Sequence, residues 1–368
     1  MTLSADFTTR LGDFTLDISI EASDEVVVLY GRSGSGKTAT LRTIAGLARP
    51  VPGRIEIGGR TVFDSERGID LPPQERRTGY VIQELTLFPH MTVLENVLIG
   101  VEDDERARSR WQSLRELLSI GELDGRRPHE ISDGQQQRVA LDRALVRPTD
   151  ILLLDEPFSA LDEALRQDLR AELLRLRQEY GLPILFVTHD LREAHLLADR
   201  VAVIDAGEVL QFGGRDDVFQ RPASRRVAEL TGVRNVFAGR VDGDRIVVHG
   251  LPLRVALPDG LSGDIDVAIR AERCNLRRLD PDQELPPNNF VATITNRLAF
   301  GNTHTLQLEP EGAGPRVEVE VASRPYEVIG VAGRDRWVVE LPSEDLHVMA
   351  RESAPAIPAA PPSTGPTA

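Results

Sequence analysis

Apolar residues in the first two thirds of the chain follow two kinds of pattern. Uninterrupted apolar runs at residues 26–30, 151–154 and 184–187 predict buried strands of a parallel sheet that is covered on both faces. Residues 163–180 carry leucines at helical spacing among charged residues, which predicts an amphipathic helix, and a further helix is predicted over residues 40–47. Strands and helices in this alternation indicate an α/β domain.

From about residue 233 the pattern changes to short alternating runs separated by Gly, Pro and Asp. Such runs predict a small all-β barrel or sandwich. The runs lie at residues 236–241, 245–248, 267–270, 291–294, 305–308, 317–321 and 337–341. We predict an α/β domain over residues 1–232, a β-rich domain over residues 233–350, and a tail over residues 351–368 whose Pro, Ala, Ser and Thr content indicates disorder.

Composition and charge narrow the class of protein. A net charge of −15 over 368 residues argues against a nucleic-acid-binding protein with a broad basic surface. A single cysteine, Cys274, excludes an intramolecular disulfide, fits a reducing compartment and is interpreted as incidental. No secretory signal is expected from residues 1–10, and no apolar stretch approaches the ~20 residues that span a bilayer. Any membrane role is therefore expected to come through partner chains.

A complete phosphate-binding pattern follows the first predicted buried strand. Its glycines let successive backbone N–H groups face one anion, and the helix that follows adds the positive end of its dipole. The lysine can reach the β- and γ-phosphates, and the final threonine can ligate Mg²⁺. These residues, which predict binding of a nucleoside triphosphate, are Gly31, Arg32, Ser33, Gly34, Ser35, Gly36, Lys37 and Thr38.

Two carboxylates come directly after the predicted strand at residues 151–154. A strand end beside the nucleotide is where an aspartate holds Mg²⁺, so Asp155 is predicted to bind the metal and Glu156 to orient and deprotonate the attacking water. The alternative is that both acids cap the following helix. The adjacent Pro157 and the upstream phosphate loop favour the metal site.

Five further segments make the chain resemble the nucleotide-binding subunits of ABC transporters. Residues 81–84 resemble the Q-loop, 131–138 the signature motif usually written LSGGQ, and 159–162 the D-loop. Residues 188–190 resemble the switch histidine, and 205–213 the closing hairpin of import-type members. The resemblance covers residues 1 to about 232. It implies an α/β P-loop ABC ATPase domain, with a parallel-sheet core and a helical subdomain, followed by a small all-β, OB-like barrel.

The resemblance also implies a mechanism. Two copies pair head to tail as a homodimer and hold two ATP molecules, each between the phosphate loop of one copy and the signature motif of the other. Gln83 would sense Mg²⁺ or the lytic water, and His189 would bond the γ-phosphate, so that Glu156, His189 and Gln83 form the catalytic set. Thr38, Gln83 and Asp155 would hold Mg²⁺. The residues that would contact ATP besides the phosphate loop are Ser132, Gly134, Gln135 and Asp162.

Two positions depart from the family pattern. Asp133 stands where the signature usually has glycine, and a carboxylate near a triphosphate is expected to weaken the ATP-driven dimer without abolishing it. Aspartate tolerates the left-handed backbone better than most residues, so the loop is expected to keep its shape. The family pattern places an adenine-stacking aromatic residue ahead of the phosphate loop, and by spacing that position falls near Leu11. The flanking Phe7 or Phe14 could supply the ring instead, or both could be plain core residues.

The β-rich region resembles the TOBE-type extension of binding-protein-dependent importers. Three segments of the first domain look most like those of molybdate importers, at residues 63–73, 79–81 and 87–90. In the β-rich region, residues 291–302 resemble small molybdate-binding modules. The extension would bind the cargo oxyanion or serve as a dimerisation scaffold. The resemblance implies two separate transmembrane permease subunits, an extracytoplasmic solute-binding protein, and a place on the cytoplasmic face of the plasma membrane.

The sequence leaves alternatives to a molybdate importer open. The same machine could carry sulfate or a sugar, since no residue of this chain touches the cargo in passage. A soluble ABC ATPase acting on DNA or ribosomes would be favoured by tandem domains, coiled-coil insertions or zinc-binding cysteines, which the sequence lacks, so no nucleic-acid partner is expected. A P-loop GTPase or kinase is disfavoured because no guanine-reading Asn-Lys-x-Asp segment occurs. Residues 85–93, with Leu87 and Phe88, are expected to dock a membrane subunit or to pack internally.

Overall fold

A computed structural model describes residues 2–12, 14–101, 105–159, 161–243, 245–258, 260–279 and 284–351. The chain divides into two compact units, one ending at Pro222 and the other beginning at Ala223. The division precedes a short helix whose Ala228 packs with Ala268 and Met349 of the second unit, whereas the change in sequence pattern lies near residue 233. The predicted disordered tail, apart from Arg351, lies outside the described residues.

Eleven strands of the described residues form one mixed sheet in the first unit, in the order β6-β5-β4-β1-β2-β11-β10-β3-β9-β8-β7. The five strands from β10 to β7 pair in parallel, as the apolar runs predict. The antiparallel strands β1 and β2 alternate buried and exposed residues. The strands are β1 (Leu3–Leu11), β2 (Phe14–Ala22), β3 (Val26–Tyr30), β4 (Gly53–Ile57), β5 (Arg60–Asp64), β6 (Ile69–Asp70), β7 (Thr78–Val81), β8 (Ile151–Asp155), β9 (Ile184–Thr188), β10 (Arg200–Asp205) and β11 (Glu208–Gly214).

Helices of the first unit begin and end where the sequence supplies caps. Helix α5 starts after Asp162, whose carboxylate accepts a hydrogen bond from Leu165 N, and ends at Gly181 with φ 57°. The helix predicted at residues 40–47 lies at Lys37–Ile44, three residues earlier at each end. The turn at Gly46 stops it before residue 47. The helices are α1 (Lys37–Ile44), α2 (Val93–Leu98), α3 (Glu105–Leu117), α4 (Asp133–Leu145), α5 (Glu163–Tyr180), α6 (Leu191–Leu197) and α7 (Arg215–Gln220).

The described residues of the second unit form two five-stranded antiparallel sheets, in the orders β14-β13-β12-β15-β21 and β16-β20-β17-β18-β19. Their inner faces share one apolar core around the fully buried Trp337. This arrangement agrees with the predicted OB-like all-β domain. The elements are α8 (Arg225–Leu230), β12 (Asn235–Asp242), β13 (Arg245–Val248), β14 (Leu251–Leu253), β15 (Asp264–Ile269), β16 (Asn275–Arg277), β17 (Asn289–Phe300), β18 (Thr303–Pro310), β19 (Val317–Ala322), α9 (Ser323–Ile329), β20 (Arg336–Glu340) and β21 (His347–Ala350).

Cys274 belongs to the core of the second unit, where only 5% of it is exposed. Burial raises the pKa of its thiol to about 12, so the sulfur stays protonated at neutral pH. Its contacts, with the side chain of Asn235 and the carbonyl of Arg270, are structural. Among the described residues, no helix is both long and apolar enough to cross a membrane.

Candidate nucleotide-binding site

The phosphate loop joins the end of β3 to the start of α1. Gly34 and Gly36 have φ of 80° and 107°, the left-handed region that favours glycine. At Gly31 a Cβ would lie 2.1 Å from Ile204 O, so the loop passes too close to β10 for a side chain. No side chain caps the first turn of α1, which leaves its backbone N–H groups facing the loop.

Two side chains of the loop fit an anion. Lys37 Nζ donates to the carbonyls of Gly31 and Arg32 at 2.9 and 2.8 Å, so the ammonium group lies across the loop. Burial lowers the pKa of Lys37, although the carboxylates of Glu156 and Asp155 oppose this. Ser35 is buried, and its hydroxyl has no hydrogen-bond partner in the described part of the chain. The Ser35 hydroxyl, the Lys37 ammonium group and the backbone N–H groups at the uncapped start of α1 are donors of the kind that a phosphate needs.

Asp155 lies at the end of β8 and meets the phosphate loop directly. Its Oδ1 accepts a hydrogen bond from Thr38 Oγ1 at 2.9 Å, and its Oδ2 accepts one from the Tyr80 hydroxyl at 3.3 Å. Burial raises the pKa of Asp155 and also that of Tyr80. A carboxylate and a hydroxyl in contact are hard oxygen donors of the kind that Mg²⁺ prefers, so the residues present fit that ion.

Glu156 and His189 form a second contact beside the first. His189 Nδ1 lies 3.1 Å from Glu156 Oε2, with the Glu156 side chain 17% exposed and that of His189 58% exposed. Glu156 adopts a left-handed backbone with φ 46°, an uncommon conformation for a non-glycine residue that clusters at functional sites. Its backbone N donates to Val187 O, which ties the loop after β8 to β9.

The predicted signature residues lie at the start of α4. The Ser132 hydroxyl accepts from Gln135 N, and the Gln135 side chain accepts from Ser132 N, which together form a capping box. Gly134 is buried, and a Cβ there would lie 3.1 Å from Leu165 Cδ2. The helix begins at Asp133, because Ser132 is the N-cap.

Asp133 fits the start of α4 with an ordinary helical backbone, and not with the left-handed backbone that the sequence suggested. It is an exposed residue of the first helical turn, and its φ is not positive. The loop therefore does not use the tolerance of aspartate for left-handed backbone. An acid in the first turn instead stabilises α4 through the helix dipole.

The remaining predicted site residues are spread along the first unit. Gln83 follows β7 and is exposed, and Asp162 is the N-cap of α5. Phe7 is 1% exposed and belongs to the core, which excludes it as a stacking platform. The half-buried Phe14 lies beside the phosphate loop, since a Cβ at Gly36 would lie 3.4 Å from Phe14 Cε1.

Sequence reasoning missed two features of the site. Tyr80 lies in the segment 79–81 that resembles molybdate importers, and its hydroxyl contacts Asp155. Thr188 Oγ1 donates to Glu193 Oε2 at 2.5 Å, directly behind His189. Neither contact has a sequence signal beyond the apolar strands that bring distant residues together. A phosphate loop, a carboxylate pair and a histidine at the carboxyl ends of neighbouring parallel strands define a P-loop ATPase.

Comparison with known proteins narrows this class. The family model described as ABC transporter matches residues 15–159. The spermidine/putrescine import ATP-binding protein PotA of Roseobacter denitrificans is 39% identical over 83% of this chain and 86% of its own length. The molybdenum import ATP-binding protein ModC of Paramagnetospirillum magneticum is 42% identical over 67% of each chain. The Fe(3+) ions import ATP-binding protein FbpC of Brucella abortus is 38% identical over 83% of this chain and 86% of its own length.

A solved structure supports the same assignment. CbiO1 of Clostridium perfringens, part of the ABC transporter complex cbiONQ, is 26% identical, with a TM-score of 0.52 over 59% of this chain and 90% of its own. The chain belongs to the ABC transporter family, as an ATP-binding subunit of the importer type. It is an ATPase whose activity is coupled to import.

Proposed function

We propose that the two contacts at the ends of β8 and β9 are the catalytic centre for ATP hydrolysis. The phosphate-loop N–H groups and Lys37 hold the β- and γ-phosphates, and the Thr38–Asp155 contact is the observation that carries this proposal. Thr38, Asp155 and, after closure, Gln83 would hold Mg²⁺, which would neutralise the developing charge on the phosphate oxygens.

Glu156 and His189 divide the remaining chemistry. The Glu156 carboxylate orients the attacking water and accepts its proton. His189 Nδ1 lies 3.1 Å from Glu156 Oε2 and would donate to it, and Nε2 on the other side of the ring would donate to a γ-phosphate oxygen when the ring carries both hydrogens. Asp162 and the signature residues Ser132, Gly134 and Gln135 would complete the site of a second copy across a homodimer interface.

Replacing Glu156 by glutamine tests the proposed base. The amide keeps the shape and the contact with His189 but cannot accept a proton, so kcat is expected to fall by about a hundredfold or more while ATP binding is retained. The measurement is single-turnover ATP hydrolysis beside equilibrium binding of ATP. Glu179→Gln, at the exposed C-terminal end of α5, is the matched control. Normal hydrolysis by Glu156→Gln would contradict the assignment.

Phe14 is the proposed adenine platform. Its ring lies next to Gly36, at the start of the helix that follows the phosphates, and it is only partly buried. A base stacked on this ring would gain about 1–3 kcal/mol. Leu11 lacks a ring, and Phe7 is enclosed by the sheet.

A groove of ≈ 1490 Å³ in the first unit is the proposed docking site for a membrane subunit. The two copies of a homodimer would then dock two membrane subunits. Phe88, Ile99 and Leu47 give the groove exposed apolar surface, and the Arg143 guanidinium lies 5.9 Å from the centre of the Phe88 ring. An apolar groove edged by arginines suits an amphipathic helix with acidic residues. The chain would then act on the cytoplasmic face of the plasma membrane, with an extracytoplasmic solute-binding protein reaching it through the membrane subunits.

Molybdate is the cargo that we propose from the resemblance of residues 63–73 and 79–81, and ModC is among the relatives. A polyamine is the second candidate, because the match with PotA extends over 83% of this chain and that with ModC over 67%. In both cases residues 233–350 of the second unit would form a TOBE-type domain that binds cargo or joins the two copies.

Uptake in a deletion strain separates the cargo candidates. Cells that lack the gene are grown on trace molybdate, and cellular molybdenum is measured by mass spectrometry beside uptake of labelled spermidine, iron, sulfate and maltose. Loss of molybdenum that returns with the wild-type gene and not with Glu156→Gln supports molybdate. Unchanged molybdenum with loss of another solute would assign that solute instead.

A further inference from the structure

Besides their direct contact, Glu156 and His189 are connected through buried side chains of the first unit that take no part in the proposed hydrolysis. At the nucleotide side, the two side chains meet at 3.1 Å. Behind them, a second path runs from the strand end before His189, through α6 and α5, to the loop that follows Glu156. This path consists mostly of buried polar side chains: Thr188, Glu193 and Arg170 are 2%, 5% and 7% exposed.

The first half of this path fixes the backbone on both sides of His189. The Thr188 hydroxyl donates to Glu193 Oε2 at 2.5 Å and accepts from Asp190 N at 2.9 Å. Asp190 in turn is the N-cap of α6 and accepts from Arg192 N. His189 therefore lies between two residues whose positions depend on one buried carboxylate.

The second half of the path links that carboxylate to the loop after Glu156. Arg170 Nη2 lies 3.8 Å from Glu193 Oε1, and the Arg170 guanidinium lies 5.6 Å from the centre of the Phe158 ring. On the same helix, Arg166 Nε donates to the carbonyls of Phe158 and Leu161 at 3.1 and 2.9 Å. Helix α5 therefore holds the segment that follows Glu156 and the segment that carries His189.

A buried ion pair adds little to stability, because desolvation of both charges offsets their attraction. In some proteins such a pair fixes geometry instead, and here both ends of the pair reach catalytic loops. We propose that Arg170 and Glu193 are positioning residues that hold the His189 ring against Glu156 in the geometry for attack on the γ-phosphate. This inference rests on the proposed roles of Glu156 and His189.

Glu193→Gln is the main test. Glutamine keeps the shape and accepts the Thr188 hydrogen bond, but it cannot pair with the charge of Arg170. We expect kcat to fall by about ten- to a hundredfold, as a displaced catalytic group would cause. The KM for ATP is expected to stay within about twofold, because the phosphate contacts belong to α1 and its loop. Arg170→Lys keeps the charge without the two-armed fork and is expected to give an intermediate kcat.

The state of the His189 ring gives a readout apart from activity. In the full chain, NMR of ring ¹⁵N-labelled histidine, assigned with His189→Gln, is expected to show the hydrogen on Nδ1, where it faces Glu156. In Glu193→Gln both tautomers should be populated. Arg177→Gln is the matched control, because Arg177 pairs with Asp199 at 2.8 Å from the other end of α5. It should lower the melting temperature and leave kcat and the His189 signal unchanged.

Thr188→Val provides an independent approach to the same path, since it removes one hydroxyl and little volume. Its effect on kcat and that of Glu193→Gln should be non-additive when combined, as expected for residues that act through one contact. If both variants only lower the melting temperature, with unchanged kcat per ATP-binding chain and an unchanged His189 signal, the positioning role is overturned. Normal turnover by His189→Gln or Glu156→Gln would instead overturn the proposed catalytic centre.

Discussion

At the scale of single residues, the chemistry is concentrated where loops follow parallel strands. Lys37, Thr38, Asp155 and Glu156 could be predicted from the sequence, because each belongs to a short pattern next to an apolar run. The contact between Thr38 and Asp155 joins residues that are 117 positions apart, so only the fold supplies it.

Asp133 carries a prediction at this scale. Its carboxylate lies in the exposed first turn of α4, where a second copy would present the signature to the γ-phosphate. Removing the charge in Asp133→Gly or Asp133→Asn is expected to raise ATPase activity and ATP-driven dimerisation by about three- to tenfold. Steady-state hydrolysis and light scattering with ATP measure both. Unchanged or lower activity of Asp133→Gly would count against the charge effect.

At the scale of elements, the sequence predicts the buried strands better than the helix starts. Strands β3, β8 and β9 match the apolar runs to within one residue, because a parallel strand covered on both faces needs an uninterrupted run. The start of α4 depends on a capping box, in which Ser132 and Gln135 bond each other's backbone. The Arg170–Glu193 contact joins α5 to α6, and neither residue stands in a pattern that predicts it.

Helix α4 also contains a buried acid that ties stability to pH. Asp142 is 0% exposed, and among the described residues neither of its carboxyl oxygens has a hydrogen-bond partner. Burial raises its pKa to about 8, with Asp124 adding to the effect and Arg115 opposing it. Between about pH 4 and 8 the folded chain keeps a proton that the unfolded chain has released, so stability falls as pH rises through this range.

Asp142→Asn should remove that loss, because an amide does not ionise. At pH 8 the variant is expected to exceed the wild type by on the order of 5 kcal/mol, and at pH 5 by about 2 kcal/mol. Urea unfolding at both pH values measures the difference. Asp6→Asn, at an exposed position of β1, is the control and should not stabilise the chain at pH 8. Equal stability of Asp142→Asn and the wild type at pH 8 would refute the expectation.

At the scale of the whole molecule, the two units have separate apolar cores. Trp337 is fully buried at the centre of the second, so Trp337→Ala is expected to destabilise that unit by about 3–5 kcal/mol. ATP should still raise the midpoint of the first unit, since ligand binds only its folded state. Calorimetry with and without ATP measures both, with the exposed Val328→Ala as control. Loss of the ATP shift in Trp337→Ala would show that the two cores unfold as one.

The single thiol of the chain has a practical consequence. Cys274 is protonated and enclosed at neutral pH, so a maleimide reagent has no natural target on the folded surface. A cysteine introduced at Phe300, which is 83% exposed at the end of β17, would therefore take one spin label per chain without any prior substitution. In an assembly of two copies, such labels define a single distance, and electron spin resonance could follow that distance as ATP is bound and hydrolysed.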